Sequence, residues 1–452
     1  MRRLAALTAL ALPLSAQAGS EVLIDFLAIQ NSAGLGGILR SEFPAYKGTT
    51  LSHDLVPLYM YEGQRVFLHA TRVGVKLTEA PREGMDVFLD YRFEGHPINN
   101  TPSALRGMQR REPGMDAGAA LHYRPRWGAL DLEVLRDASN KSRGVEWRLG
   151  YNLDLQSGRW HFRPSVVAAR RSAALNDYYY GVRPNEALAG RPAYAAGAGT
   201  NISYSLYAYY ELTQRWRLLA GLTVDDLSDS IRHSPIVADK AQLSGLLGLA
   251  YDFGNHKAYT DPYLPLHLKV FAGKATECNF LPVVTLRCGS LRSQDDTRIA
   301  GFAVGRPLIE GVNGWPLDFV AYVGLTGHDE RGIQANGLQL DAHIKAYYYG
   351  LPWNSRVRTR IGMGAGFSLA QRVPLTEVRD QGRRGRDTAR FLNYLDPSLD
   401  ISVGDLLGRP NMRETYLGVG VSHRSGIFGT STLLGNINGG SNYLVAYIEA
   451  KL

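Results

Sequence analysis

The pair of side chains best placed for chemistry is His423 and Ser425, two residues apart within Glu414–Gly426. Alternate residues of a β-strand point to the same side, with Cα atoms about 6.5–7 Å apart, so this imidazole and hydroxyl share one face. A histidine at that spacing can act as general base for a serine that attacks an ester. The pair therefore indicates a hydrolase site. The simpler alternative is an interfacial polar pair that contacts lipid headgroups.

Two further pairs have functional and structural interpretations. Cys278 and Cys288 are the only cysteines. In an oxidising compartment they can close a short loop, at a gain of roughly 2–3 kcal/mol, or remain independent thiols. No nearby histidine pair completes a set of four ligands, so we predict no metal site and no cofactor. His343 and Asp341 share a strand face and indicate ion handling or, more simply, a hydrogen-bond network.

The elements that carry these residues alternate between two kinds of side chain. From Arg356 to Leu369, one set is apolar and the other is charged and then small. The apolar set is Val357, Thr359, Ile361, Met363, Ala365, Phe367 and Leu369, and the other is Arg358, Arg360, Gly362, Gly364, Gly366 and Ser368. A soluble sandwich would hydrate a varied polar face, whereas a narrow barrel holds small and charged residues inside and meets lipid outside. The alternation predicts a wall strand of a membrane barrel.

The same period runs along the chain and predicts nine strands before Gly254 and seven after Pro265. The first-half strands are Val66–Leu77, Met85–Phe93, Gly118–Tyr123, Leu130–Arg136, Val145–Leu155, His161–Arg170, Ile202–Leu212, Trp216–Val224 and Leu243–Phe253. The second-half strands are His267–Lys274, Arg298–Ile309, Asp318–Thr326, Leu338–Tyr349, Arg356–Leu369, Glu414–Ser425 and Asn442–Leu452. Residues 371–412 break the pattern and read as an insertion with a short helix in Phe391–Leu406.

Seven strands is an awkward number, because bacterial barrels usually have an even count. Phe280–Leu286 offers an eighth strand, but at about 3.3 Å per residue it would hold Cys278 and Cys288 about 30 Å apart, too far for a disulfide. Either the strand or the bridge is wrong, or both halves form one large barrel. The predicted fold class is therefore all-β, with transmembrane antiparallel β-barrels that are two in tandem or one large.

The N-terminus and the overall charge indicate the compartment. Arg2 and Arg3, the apolar stretch Leu4–Leu14 and the Ala16–Ala18 cleavage site predict a secretory signal peptide over residues 1–18. We expect a first barrel domain over 19–254, a linker over 255–265, and a second barrel domain over 266–452 that contains the 371–412 insertion. A net charge of +8 suits anionic lipid headgroups. Nucleic acid is not expected as a partner, because the arginines are dispersed and no recognition motif is present.

Several separated motifs in the first half resemble the MltA-interacting protein (MipA/OmpV) family of outer-membrane proteins. They are Pro44–Gly48, Leu105–Met108, Tyr179–Val182 with Tyr194, Asp229-Ser230, Ser234–Val237 and Tyr251–Phe253. The resemblance runs from about Gly34 to Gly254 and implies an outer-membrane barrel. It also implies a scaffolding link to murein-remodelling machinery, and it offers no catalytic residues. The motifs themselves also have structural interpretations as interfacial aromatics and shaped loops.

The C-terminal part resembles, over about 40 residues, the lipid A 3-O-deacylase (PagL) family, whose barrels carry a Ser-His-Glu triad on the lipid-facing wall. By that resemblance His423 is the base and Ser425 the nucleophile, both near the outer leaflet. Gly435–Asn438 stands where the family has its glutamate, and Glu449 falls on the other strand face. Asn436, Asn438 or Asn442 is left to orient the imidazole, although an amide stabilises imidazolium less than a carboxylate does.

Three functions are consistent with these features. The first is a non-enzymatic outer-membrane barrel of MipA/OmpV type that organises the envelope, with outer-membrane lipid or lipopolysaccharide and a murein-remodelling enzyme as partners. The second is a lipid A acyl-ester hydrolase that uses His423 and Ser425. The third is a small channel, although small barrels are generally filled by their own side chains. The sequence leaves open whether the protein is an enzyme.

Overall fold

The computed structural model describes residues 32–96, 102–238, 241–253, 265–285, 287–288, 294–311, 314–385, 388–426 and 439–452. The predicted signal peptide and most of the predicted linker lie outside these residues. The chain divides into two compact units between Asp252 and Phe253. Both units are closed antiparallel barrels, one of twelve strands and one of eight. The predicted all-β barrel class is confirmed. Of the two alternatives, two barrels in tandem or one large barrel, the structure has two barrels.

The first barrel closes because its last strand pairs with its first, with Leu39 opposite Leu247. Its strands are β1 Ser32–Phe43, β2 Ser52–Glu62, β3 Val66–His69, β4 Arg72–Glu79, β5 Glu83–Arg92, β6 Gly114–Tyr123, β7 Ala129–Asp137, β8 Val145–Asn152, β9 Leu155–Ser157, β10 Trp160–Arg171, β11 Gly199–Glu211, β12 Trp216–Asp226 and β13 Ala241–Asp252. The short β9 pairs only with β10. Two helices, α1 Ala173–Tyr180 and α2 Asp229–Arg232, lie in the connections.

Three features of this barrel differ from the sequence prediction. The strands β1 and β2 were not predicted, because glycines on β1 and Pro57 on β2 weaken the strand pattern. The predicted strand Val66–Leu77 is a hairpin of β3 and β4. It turns at Ala70, whose φ of 51° is left-handed although alanine carries no turn signal.

Connections at the two ends of the first barrel differ in length. At the short-turn end, two to five residues join consecutive strands; at the long-loop end, connections reach 27 residues, as between β10 and β11. The long loops fold into a lid with its own apolar core: Ala45, Tyr46, Leu105, Leu175, Tyr179, Tyr180, Val182, Ala196, Leu227, Ile231, Ile236 and Val237. Burial in the lid lowers the pKa of His96 to about 4, so its ring is neutral at pH 7. Bacterial barrels keep short turns in the periplasm, which places the lid at the cell surface.

The second barrel closes between its first and last strands, with Val270 opposite Ile448. Its strands are β14 His267–Ala275, β15 Arg298–Ile309, β16 Leu317–Asp329, β17 Gly337–Tyr348, β18 Thr359–Ala370, β19 Phe391–Ser402, β20 Thr415–Ser425 and β21 Gly440–Lys451. Three helices lie between them: α3 Phe280–Val284, α4 Leu375–Arg383 and α5 Val403–Leu407. Among the described residues, no helix is long and apolar enough to cross a membrane.

The eighth strand is β19, which corrects the prediction of an insertion over 371–412 with a helix at Phe391–Leu406. The parts of 371–412 outside the wall are α4 with its flanking loops and the connection after β19 that contains α5, since β19 itself pairs with β18 and β20. Pro397 and two aspartates made this strand difficult to recognise in the sequence. Pro397 occupies a position on the outer face, and Asp396 and Asp400 point into the lumen, where they are 1% and 0% exposed. The described part of Phe280–Leu286 is not a strand, because α3 occupies Phe280–Val284.

Side chains fill the lumen of the second barrel. Asp396 accepts hydrogen bonds from Lys269 (2.7 Å) and Lys345 (3.0 Å). Near the C-terminal end of β20, Arg424 binds Glu377 of α4 at 2.6 Å, and this contact holds the helix over the lumen. Asp341, Gln339 and His343 belong to the same buried set, as the structural interpretation of the His343 pair expects. The glycines of β18 make room for these groups, because a Cβ on Gly362 would lie 2.5 Å from the Lys345 side chain.

Candidate functional site

His423 and Asn442 face each other across neighbouring strands on the outer wall of the second barrel. They are register partners on β20 and β21. His423 donates a hydrogen bond from Nδ1 to Asn442 Oδ1 at 2.6 Å, and Asn442 Nδ2 donates to the Cys278 carbonyl at 3.0 Å. This arrangement fixes the imidazole tautomer, with the lone pair of the neutral ring on Nε2. Asn442 therefore lies where the sequence expected an orienting group.

A disulfide-closed loop covers this histidine. Cys278 and Cys288 are bridged, with Cα atoms 6.0 Å apart, and the loop between them holds α3 against the wall. Phe280 stacks on the His423 ring with centroids 4.3 Å apart, and Cys278, Val283 and Val421 pack beside it. His423 is on the outer face, as predicted, but it is only 8% exposed. The sequence pattern gave the direction of this side chain and not its cover, because the cover comes from about 140 residues away.

The rest of the proposed catalytic set is not assembled around His423. Ser425 is half-buried at the last position of β20, and within the described part of the chain no hydrogen bond joins it to His423. Glu449 lies in the lumen and binds Arg360 at 2.6 Å, so it is on the other side of the wall. Asn436 and Asn438 lie outside the described residues. The assignment of His423 as base and Ser425 as nucleophile stays a prediction.

Mass spectrometry of lipid A tests that assignment directly. We expect lipid A from cells that express the wild type, Ser425→Ala or no protein to carry the same acyl chains, because Phe280 covers the imidazole and no described contact joins it to the serine. Ser422→Ala, a lumen position on the same strand, is the matched variant. Loss of one acyl chain with the wild type and its retention with Ser425→Ala would establish the hydrolase instead.

A second feature lies at the short-turn end of the first barrel. An arginine occurs in five of the six short connections at this end: Arg65, Arg82, Arg126, Arg159 and Arg215. Arg124 adds a second cation to the β6–β7 turn. Trp127, Trp160 and Trp216 are 56%, 44% and 41% exposed beside them. Aromatic side chains of this kind mark the level of lipid headgroups, so the arginine-bearing turns, here called the arginine rim, lie at the periplasmic surface of the membrane.

Sequence reasoning missed the arginine rim. Each arginine is unremarkable by itself, and the set becomes visible only when the turns that bring the five together are known. The available signal was positional: in Thr213–Arg215, for example, the arginine directly precedes the aromatic residue that opens the next strand. The same order occurs at Arg159 and Trp160.

Comparison with known proteins identifies the first barrel. A family model described as MltA-interacting protein MipA matches residues 33–253, in agreement with the motifs found between Gly34 and Gly254. YiaT of Escherichia coli (strain K12), whose name describes it as an outer-membrane protein, is 25% identical over 219 residues, which are 48% of this chain and 89% of YiaT. Outer membrane protein OmpV of Vibrio cholerae serotype O1 is 26% identical over 154 residues, 34% of this chain and 60% of OmpV. The MltA-interacting protein of E. coli K12 is 27% identical over 152 residues, 33% and 60% of the two chains.

The matched residues coincide with the closed twelve-stranded unit, while the second barrel lies beyond them. The names of the relatives and the apolar outer walls place the protein in the outer membrane. The first barrel belongs to the MipA/OmpV family of outer-membrane proteins.

Proposed function

We propose that the protein is a non-enzymatic outer-membrane scaffold whose arginine rim holds a murein-remodelling enzyme close to the membrane. The observation that carries the proposal is the family membership of the first barrel, because one relative is named for its interaction with MltA. Outer-membrane lipid surrounds the barrels on their apolar sides. A periplasmic partner reaches the first barrel at its short turns, which carry the arginines.

The interiors of the barrels support a structural role. In the second barrel the described lumen is occupied by buried charged groups, including Lys345 at 0% and Glu449 at 1% exposure. In the first, the lid closes the long-loop end with a packed apolar core. A channel needs a continuous aqueous path. In the second barrel buried side chains occupy the lumen, and in the first barrel the lid closes one end. A scaffold needs only a rigid wall and an accessible rim.

The charge of the arginine rim suggests how a partner is held. Arg82 and Arg126 are exposed on neighbouring turns and present guanidinium groups toward the periplasm. A guanidinium group binds a carboxylate through bidentate hydrogen bonds, so an acidic patch on the enzyme is the complementary surface. Because both partners are solvent-exposed, the attraction is screened by salt.

Co-purification of a membrane-bound lytic transglycosylase with the detergent-solubilised protein tests the proposal. We expect at most one tenth as much enzyme to co-purify with the double variant Arg82→Glu/Arg126→Glu as with the wild type. The new glutamates would face the acidic patch of the enzyme, and like charges at an interface cost several kcal/mol. Raising the salt concentration should also weaken retention by the wild type.

The matched control makes the same change of charge at the opposite end of the barrel. Arg106 and Arg183 are exposed on the lid, and Arg106→Glu/Arg183→Glu should bind the enzyme like the wild type. Retention that is equal in all three proteins, or absent from the wild type, contradicts the proposal.

A further inference from the structure

A cavity of about 360 Å³ lies inside the first barrel, and residues from β1 around the wall to β12 line it. At one end its wall includes Glu79 and Glu83, which are exposed beside the β4–β5 turn. At the other end it stops at Arg171 and Asn201, below the lid. None of the residues of the lid core lines it. The cavity is therefore reached from the periplasmic end and closed toward the cell surface.

The wall of this cavity is acidic, although the whole chain is basic. Eleven aspartate and glutamate side chains line it, against seven arginines and lysines and two histidines. Some of these charges pair with one another, as Arg72 does with Glu133 at 2.7 Å. The excess of carboxylates remains. In a low-dielectric enclosure such an excess attracts cations more strongly than it would at an open surface.

A hydrogen-bonded band crosses the wall in the lower half of the cavity. His122 donates from Nε2 to Asp86 Oδ2 at 2.6 Å and from Nδ1 to Asp131 Oδ1 at 2.7 Å. Asn152 donates from Nδ2 to Asp131 Oδ2, also at 2.7 Å. Ser165 is the register partner of Asn152 on the next strand. This acceptor band, Asp86–His122–Asp131–Asn152–Ser165, runs from β5 to β10.

Both ends of the acceptor band finish in polar atoms that lack a partner within the described chain. Asp86 Oδ1 is one end, and Asn152 Oδ1 and Ser165 Oγ form the other. The three residues are 8%, 7% and 4% exposed and line the cavity. A buried acceptor without a donor is unfavourable, and more so when it is charged. Such atoms at both ends of the band call for a ligand that donates hydrogen bonds.

We propose that this cavity binds a linear organic polyamine that enters from the periplasm. One ammonium group of the ligand lies at Asp86, and another amine lies between Asn152 and Ser165. The band crosses five strands, a path of roughly 19 Å along the wall at about 4.8 Å per strand spacing, and its ends are closer than this across the lumen, into which the side chains point. Two amines joined by an alkyl chain reach both ends, and one ammonium does not. Among the residues that the structure describes, no cluster of three or more metal-ligating side chains is placed to hold a metal ion, which favours an amine.

Isothermal titration of the purified, detergent-folded full chain with spermidine tests the proposal. We expect saturable binding to the wild type that Asp86→Asn weakens about tenfold, because a charge-assisted hydrogen bond is lost. Ser165→Ala should weaken it about threefold and carries little risk to folding, because the hydroxyl has no described partner. Propylamine, with one ammonium, should bind at least tenfold more weakly than spermidine, and heptane-1,7-diol should not bind.

The control Glu112→Gln removes a carboxylate that is exposed at the long-loop end and outside the cavity, so it should bind spermidine like the wild type. Heat-modified migration on gels verifies that each variant is a folded barrel. If the wild type shows no saturable binding, or if Asp86→Asn and Ser165→Ala both bind like the wild type, the proposed site is wrong. The result is independent of the arginine rim, because neither Arg82 nor Arg126 lines the cavity.

Discussion

Replacing Asp396 by alanine is expected to destabilise the second barrel by about 3–5 kcal/mol, the usual cost of removing one partner from a buried ion pair. Asp396 is 1% exposed and holds Lys269 at 2.7 Å and Lys345 at 3.0 Å. The two lysines come from different strands and are 4% and 0% exposed. Without the carboxylate, both ammonium groups would lose the acceptor that they share, and the lumen offers them little water.

Urea unfolding of the full chain in lipid vesicles measures this effect. A background with phenylalanine at the four tryptophans of the first barrel leaves only Trp315 and Trp353 as fluorescence reporters, so the signal comes from the second barrel. Asp396→Asn should lose less stability, because an amide still accepts hydrogen bonds from the lysines.

An exposed ion pair in the same barrel provides the control. Glu414 pairs with Arg358, and their side chains are 49% and 42% exposed. Glu414→Ala should cost less than about 1 kcal/mol, as exposed pairs usually do. If Asp396→Ala and Glu414→Ala have equally small effects, the lumen cluster contributes nothing to stability and the packing described here is wrong.

The faces of the barrel walls could be predicted from sequence because the side-chain period of a strand is local. In β18 the predicted outer residues Ile361 and Met363 are 47% and 44% exposed, and Arg360 is buried in the lumen. Thr359 departs from the pattern: it belongs to the outer set but is 7% exposed, because Trp353 donates a hydrogen bond to its hydroxyl at 3.1 Å. The exception occurs at the end of the strand, where a loop can reach it.

The number of strands in the second barrel was harder to predict, because it depended on β19, whose sequence resembles a loop as much as a strand. In β19 the lumen-facing aspartates make the sequence look like a loop, and Pro397 lacks the N–H group that a strand residue normally donates. Asp396 is acceptable there because Lys269 and Lys345, far away in sequence, neutralise it. Only the closed barrel brings those three residues together.

The cover over His423 and the acceptor band could not be predicted from the sequence, because both depend on contacts between segments that are far apart in the chain. The pattern on β20 gives the direction of His423 correctly, but the loop that carries Phe280 decides how much of the ring is accessible. The acceptor band of the first barrel combines residues from β5, β6, β7, β8 and β10, and no short motif contains more than one of them. Local periodicity places a side chain on a face, whereas a site depends on which strands become neighbours.

Leu247→Arg is expected to destabilise the first barrel by about 2–4 kcal/mol in lipid vesicles, the cost of an arginine at the bilayer midplane of a barrel. Leu247 lies in the middle of β13 and is 65% exposed, while its neighbour Leu246 points into the lumen and is 4% exposed. In water an exposed leucine can become arginine at almost no cost. The expected loss arises only if lipid surrounds this face.

Leu188 is the matched control, because it is 61% exposed but lies in the β10–β11 connection at the lid. Leu188→Arg should change the free energy of unfolding by less than about 0.5 kcal/mol, as surface substitutions usually do. The two leucines expose nearly the same fraction of their surface, so a difference between the variants reports the solvent and not the burial. Equal effects would mean that the apolar face of β13 is not in the membrane, and the outer-membrane location would then lose its physical basis.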